Sequence, residues 1–167
     1  MAVEKWTAGS GQGLTWGAAF GNSTATGVSG LANGSAILST ISINNSSTNS
    51  VGDIFADISI SSTAAMAIAA PLYLGIYLFP LNEDGTSYGD GYITSTGAQA
   101  LVPPSNYFVG SISLPSTVGS TVKSVVGSLS RIVLPPGIFS FCAYNQLGAT
   151  LSTVFNIQYR TYNRSVA

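Results

Sequence analysis

The sequence predicts an all-β chain folded as a single-domain antiparallel β-sandwich, and three observations carry that prediction. Short apolar or alternating runs recur along the chain, each bounded by Gly, Pro, Asn or Ser. No stretch holds a convincing 3.6-residue period. The chain is 167 residues long, which suits one domain better than two. About seven or eight short strands in one domain point to two packed sheets, immunoglobulin-like or jelly-roll-like. The connections are uneven, long over 80–106 and short at 135–137, which suits Greek-key crossovers and the jelly-roll-like form.

Residues 1–34 are rich in Gly, Ala, Ser and Thr and read as an N-terminal extended arm, with 35–167 as the sandwich. A Gly-rich segment is costly to order alone. Both tryptophans, Trp6 and Trp16, lie in it together with Phe20, and such rings need burial. The arm therefore packs on its own domain or reaches onto a neighbouring subunit.

Ala36 to Ile43 reads as a strand with Ile37, Ile41 and Ile43 on one face, followed by a polar loop over Asn44 to Ser50. Val51 to Ile60 alternates: Ile54, Ala56, Ile58 and Ile60 point inward, Asp53, Asp57 and Ser59 toward solvent. Ala64 to Ala70 is the one place with helix-forming composition, and a short helix is an option there. Leu72 to Phe79 is the most apolar strand and should be covered on both faces. Pro80 to Tyr92 is a long loop containing two Asp-Gly turns, Asp84-Gly85 and Asp90-Gly91.

Beyond a loop at Pro103 to Asn106, Tyr107 to Leu114 is a strand with Phe108, Ile112 and Leu114 sharing a face with Gly110. Ser116 to Ser128 has no clear period. Leu129 to Leu134 is a short strand closed by the turn Pro135-Pro136-Gly137. Ile138 to Tyr144 is a strand, Asn145 to Gly148 a turn, and Val154 to Tyr162 the last strand. There Phe155, Ile157 and Tyr159 share one face, and Asn156, Gln158 and Arg160 the other.

Charge narrows the function. Only 7% of residues are charged, for a formal net charge of -1, so no basic footprint for nucleic acid or an anionic membrane exists. Weak self-repulsion favours association into homo-oligomers. His is absent, which excludes Ser-His-Asp and Cys-His catalysis. A single cysteine, Cys142, forbids an internal disulfide and sits in an apolar run as a small buried hydrophobe. No apolar h-region follows Met1, so no secretory signal is expected. Thr63 to Leu81 is uncharged over 19 residues, but Pro71 and Gly75 interrupt it and no basic flank adjoins it. No membrane span is expected there.

Few residues are placed for chemistry. Asn82, Glu83, Asp84 and Asp90 crowd one loop, yet their spacing is not that of a calcium loop, and they read as solvated turn residues. Glu83 and Asp90 as a glycosidase pair have nothing to fix their separation. Tyr88 and Tyr92 could stack on sugars. Gly9, Gly11 and Gly13 follow no strand and precede no phosphate-loop lysine. No catalytic residue, metal or cofactor is expected. The Tyr159-Arg160-Thr161-Tyr162-Asn163-Arg164 run interleaves rings with cations, a common composition at protein interfaces.

Five segments carry a resemblance. They are Phe55-Ala56-Asp57-Ile58-Ser59-Ile60, the run from Tyr77-Leu78-Phe79-Pro80 through Asn82-Glu83-Asp84-Gly85 to Gly91, Pro103-Pro104-Ser105-Asn106-Tyr107-Phe108-Val109-Gly110, Ile132-Val133-Leu134-Pro135-Pro136-Gly137, and the closing Tyr159 to Arg164. Together they resemble small jelly-roll virion proteins of tailed bacteriophages, the head decoration or cement proteins. That resemblance implies a non-enzymatic protein, made in the host cytoplasm, that sits on the outer capsid surface. Its partners would be the major capsid protein and neighbouring copies of itself. Trp6, Trp16, Phe20, Arg160 and Arg164 are the candidate contact residues. The alternative is a tail or fibre module that binds host glycans.

Overall fold

Backbone pairing follows the alternation of the strands and the Gly- and Pro-bearing corners between them. The computed structural model describes residues 4–8, 17–18, 30–39, 42–45, 55–62, 66–67, 73–82, 98–100, 102–113, 117–118, 124–151 and 155–166. They form β1 (Glu4–Ala8), β2 (Gly17–Ala18), β3 (Ala36–Leu38), β4 (Ile43–Asn45), β5 (Phe55–Ser62), β6 (Met66–Ala67), β7 (Tyr73–Leu81), β8 (Phe108–Ser113), β9 (Thr117–Val118), β10 (Ser124–Val133), β11 (Gly137–Gln146) and β12 (Phe155–Val166). A 3-10 turn, Ser105–Tyr107, leads into β8.

Two antiparallel sheets result. The first runs β1-β12-β5-β10, with β2 also on β12; the second runs β3-β11-β7-β8, with β4 also on β11. β6 and β9 form a small third ribbon. Register explains the doubled edges. Ala8 stands opposite Tyr162 and Gly17 opposite Tyr159, so β1 and β2 lie in turn along one side of β12. Likewise Leu38 stands opposite Cys142 and Ile43 opposite Phe139, so β3 and β4 lie in turn along one side of β11. Ser39 holds the end of β3 to β11, its N–H donating to Phe141 O at 2.7 Å and its hydroxyl accepting from Phe141 N–H at 3.2 Å. β7 to β8 joins neighbours within one sheet. The chain changes sheet between β2 and β3, β4 and β5, β5 and β7, β8 and β10, β10 and β11, and β11 and β12.

The main core lies between the sheets. Ala56, Ile58, Ile60, Ile132, Ile157 and Tyr159 of the first sheet meet Leu74, Ile76, Leu78, Ile112, Phe139 and Phe141 of the second. The Phe141 and Tyr159 rings bridge the layers at 5.7 Å. A smaller cluster, Ala36, Leu38, Tyr77, Phe79, Cys142 and Tyr144, covers the outer face of the second sheet, with Tyr107 packed on it. β7 is thus buried on both faces, as its composition requires. Burial pushes the Cys142 thiol up to about 12, against a weak opposing hydrogen bond with the Ile37 backbone.

Several expectations need correction. Asn44 and Asn45 belong to β4 rather than to a loop, and Pro80 and Leu81 still belong to β7. Met66–Ala67, where a helix was an option, is a strand. Phe108 does not share a face with Ile112. The register steps from Ile76 opposite Gly110 to Tyr77 opposite Phe108, so Val109 is an extra residue and Phe108 turns outward. Its ring meets Tyr77 edge-on at 5.3 Å. Asp57 and Ser59 point outward but are buried, not solvated. Asn145 and Gln146 end β11.

Residues 1–34, read from sequence as an arm, supply β1 and β2 to the first sheet and Leu31 to the main core. Asn145 Nδ2 donates to Leu31 O and Ala149 O, both at 2.8 Å, which ties this segment to the β11–β12 corner. Ile41, Ile54, Leu114, Lys123 and residues 83–97 lie outside the described residues.

Candidate functional site

Charge is segregated between the sheets. Lys5, Arg131, Arg160 and Arg164, four of the chain's five cations, stand on strands of the first sheet, and Lys123 immediately precedes β10. Glu4 and Asp57 are the acids on those strands. The strands of the second sheet contain no charged residue.

Asp57 organises the charged face. It lies on β5, opposite Arg160 of β12. On its other side β10 is irregular: Leu129 pairs with Ile58 and Ile132 with Ala56, so Ser130 and Arg131 together face one residue. Arg131 adopts φ 59°, the left-handed region that costs a residue bearing a Cβ about 1 kcal/mol. Its N–H then donates to Asp57 Oδ1 at 2.9 Å. Tyr162 donates its hydroxyl to the same oxygen at 2.8 Å. Arg160 donates through Nε at 3.0 Å and Nη2 at 2.9 Å to Asp57 Oδ2.

Asp57 is only 5% exposed, and its burial works against the charged form. The hydrogen bonds from Arg131, Arg160 and Tyr162, with the Arg160 charge, outweigh that burial and hold its carboxyl below the usual range. Burial and the Asp57 carboxylate push the Tyr162 phenol up, so it stays a donor. Phe55 stacks on Tyr162 at 5.8 Å, and the Arg160 guanidinium carbon lies 6.0 Å from the Tyr162 ring centre. Three strands are therefore cross-linked around one carboxylate.

An apolar groove of about 370 Å³ opens where β10 ends and the chain crosses to β11, lined among others by Phe108, Val133, Pro80, Pro135, Pro136 and Asn106. Val133 is 66% exposed and Phe108 45%, two of the three large hydrophobic side chains that stand exposed among the described residues. The corner is braced: Asn45 Nδ2 donates to Pro135 O at 3.0 Å, and Gly137 takes φ 119°, which a side chain would strain.

Of the contact residues expected from sequence, Trp6 is opposite Arg164 in the β1–β12 register, and Arg160 is four residues earlier on β12. The fold thus places three of the five on the neighbouring strands β1 and β12. Trp16 and Phe20 lie outside the described residues, flanking β2. Glu83, Asp84, Tyr88, Asp90 and Tyr92 lie outside them too. Sequence reading missed Asp57 as an organiser, the Arg131 bulge, and the Phe108–Val133 groove. Among the described residues, no group of three or more His, Cys, Asp or Glu could hold a metal ion. No helix among them is long and apolar enough to cross a membrane.

Comparison with protein-family models, with curated proteins and with solved structures finds no match to this chain.

Proposed function

We propose that the chain is a non-enzymatic structural protein of a tailed-bacteriophage virion, binding the outside of the major capsid protein shell and stabilising it. The observation that carries this reading is the β1–β12 pairing, which sets Trp6 opposite Arg164 on the strand that also bears Arg160, itself cross-linked to Asp57. Rings and cations on a rigid support are the composition of a protein-binding surface. The strand order lends support: two four-position sheets with repeated crossovers suit a jelly roll, an architecture shared by capsid and lectin domains. Fold alone does not choose between those uses. An almost uncharged second sheet suits close packing on a lattice, since few charges need desolvation. Many weak contacts repeated over a shell then add up through avidity.

Co-sedimentation of the purified chain with capsid shells stripped of it tests the proposal. Saturable binding, weakened by deletion of residues 1–18, is the expected result. No binding to shells, with binding to host-surface polysaccharide instead, would replace it with the tail or fibre module.

A further inference from the structure

Residues 30–35 and 145–151 are clasped to each other. Gly30 N–H donates to Leu151 O at 2.9 Å, and Leu151 N–H donates to Leu31 O at 3.0 Å. Gly34 N–H donates to Asn145 O at 2.8 Å, and Asn145 N–H to Ser35 O at 2.9 Å. The fully buried Asn145 side chain adds its own bond to Leu31 O. Within this clasp lies the one Asn-Gly pair in the sequence, Asn33-Gly34. It fills the two central positions of a turn closed by Ser35 N–H to Ala32 O at 3.2 Å, with Gly34 at φ 77°. Asn33 is exposed, and its Oδ1 accepts from Gly148 N–H at 2.8 Å.

An Asn followed by Gly is open to ring closure, because no Cβ on the next residue hinders approach of its nitrogen to the Asn carboxamide. The reaction needs that nitrogen free to lose its proton and the carboxamide free to swing onto it. The fold ties down both. Gly34 N–H is committed to Asn145 O, and the Asn33 carboxamide is held by Gly148 on the same corner.

We propose that Asn33 is a site of spontaneous deamidation, guarded while the clasp is closed and modified when it opens. In the open state the Gly34 nitrogen attacks Asn33 Cγ. The N–Cγ bond forms, the Cγ–Nδ2 bond breaks, and the amide nitrogen leaves with the Gly34 proton as ammonia. Solvent water then opens the succinimide, at Cγ to give aspartate or at the backbone carbonyl of residue 33 to give isoaspartate. One water enters and one ammonia leaves. Either product adds a negative charge. Isoaspartate also adds a carbon to the main chain, so the Gly34 and Ser35 bonds to Asn145 no longer fit together, and the modification traps the clasp open. This chemistry is independent of the capsid role proposed above.

The test ages the purified chain at mildly alkaline pH beside a blocked peptide of residues 30–36 and beside the chain unfolded in urea. Isoaspartate at position 33 is read by peptide mass spectrometry. The folded chain should form it at least about tenfold more slowly than the peptide or the unfolded chain, because only the open fraction reacts. Asn145→Ala, which removes the bond to Leu31 O, should close most of that gap. Should that variant not fold, urea below the unfolding transition opens the parent chain instead. The modification rate should then rise in step with hydrogen exchange of the Gly34 amide, which also requires Gly34 N–H to leave Asn145 O. Asn33→Gln should abolish the product, since its longer side chain must close a larger ring. A folded chain modified as fast as the peptide, or a rate indifferent to Gly34 exchange, overturns the guarding. No isoaspartate at position 33 in the unfolded chain overturns the site itself.

Discussion

Asp57 decides the local chemistry of the first sheet at the scale of single residues. Four donors converge on a carboxylate that is 5% exposed, so removing the carboxylate leaves the Arg131 N–H and the Tyr162 hydroxyl without their acceptor. Asp57→Ala should cost about 3 kcal/mol in urea unfolding, with Arg160, at 35% exposure, contributing the smaller share. Because folding lowers its pKa, the Asp57 contribution is complete above the unfolded carboxyl range and is lost as pH falls through the folded value. Thermal melts below about pH 4 should therefore drop more steeply for the parent chain than for Asp57→Asn. The sequence could not foretell this. Alternation placed Asp57 on the outward face correctly, but burial there depends on Arg160 and Tyr162 lying over it from β12 and on the Arg131 bulge from β10. Neither partner is near it in sequence. Arg131→Gly, which relieves the left-handed backbone, should gain about 0.5–1 kcal/mol in the same unfolding experiment.

Elements follow the sequence where period and punctuation agree, and depart from it at bulges. The strands around Ile58, Ile76, Phe141 and Ile157 were legible because alternation and turn residues pointed the same way. The Met66–Ala67 ribbon was not, since Ala-rich composition favours helix locally and pairing with Thr117–Val118 overrides it. Phe108 was misplaced for a different reason: one inserted residue, Val109, inverts every side chain before it. That bulge matters because β8 and β10 approach closely beside it. A Cβ on Gly110 would lie 2.7 Å and 2.9 Å from the two Leu129 methyl carbons. Those atoms end a flexible side chain, so Gly110→Ala should cost about 1–2 kcal/mol and not unfold the domain. In a Leu129→Ala background most of that cost should vanish, and a double-mutant cycle of unfolding free energies reads the coupling. Equal costs in both backgrounds would mean that the two strands do not meet there.

The whole molecule divides its labour between two sheets. The second sheet, free of charge on its strands and buried on both faces through β7, is the apolar half. Phe141, fully buried and in ring contact with Phe139 and Tyr159, ties it to the first. Phe141→Ala should cost about 3–5 kcal/mol by calorimetry or denaturant unfolding. The first sheet carries the cations, the closing N-terminal strand and the exposed end of β10. Composition announced the low charge, and the C-terminal Tyr/Arg run is the basis of the interface proposed above. Only the fold placed Trp6 across from Arg164, since their encounter depends on β1 returning to the far edge of the last strand. The measurement that tests the central claim most directly is the melting temperature of stripped capsid shells with and without the purified chain added back. A saturable rise, reduced in a chain lacking residues 1–18, is what a decoration protein produces. An unchanged shell melting temperature at saturating chain would contradict it.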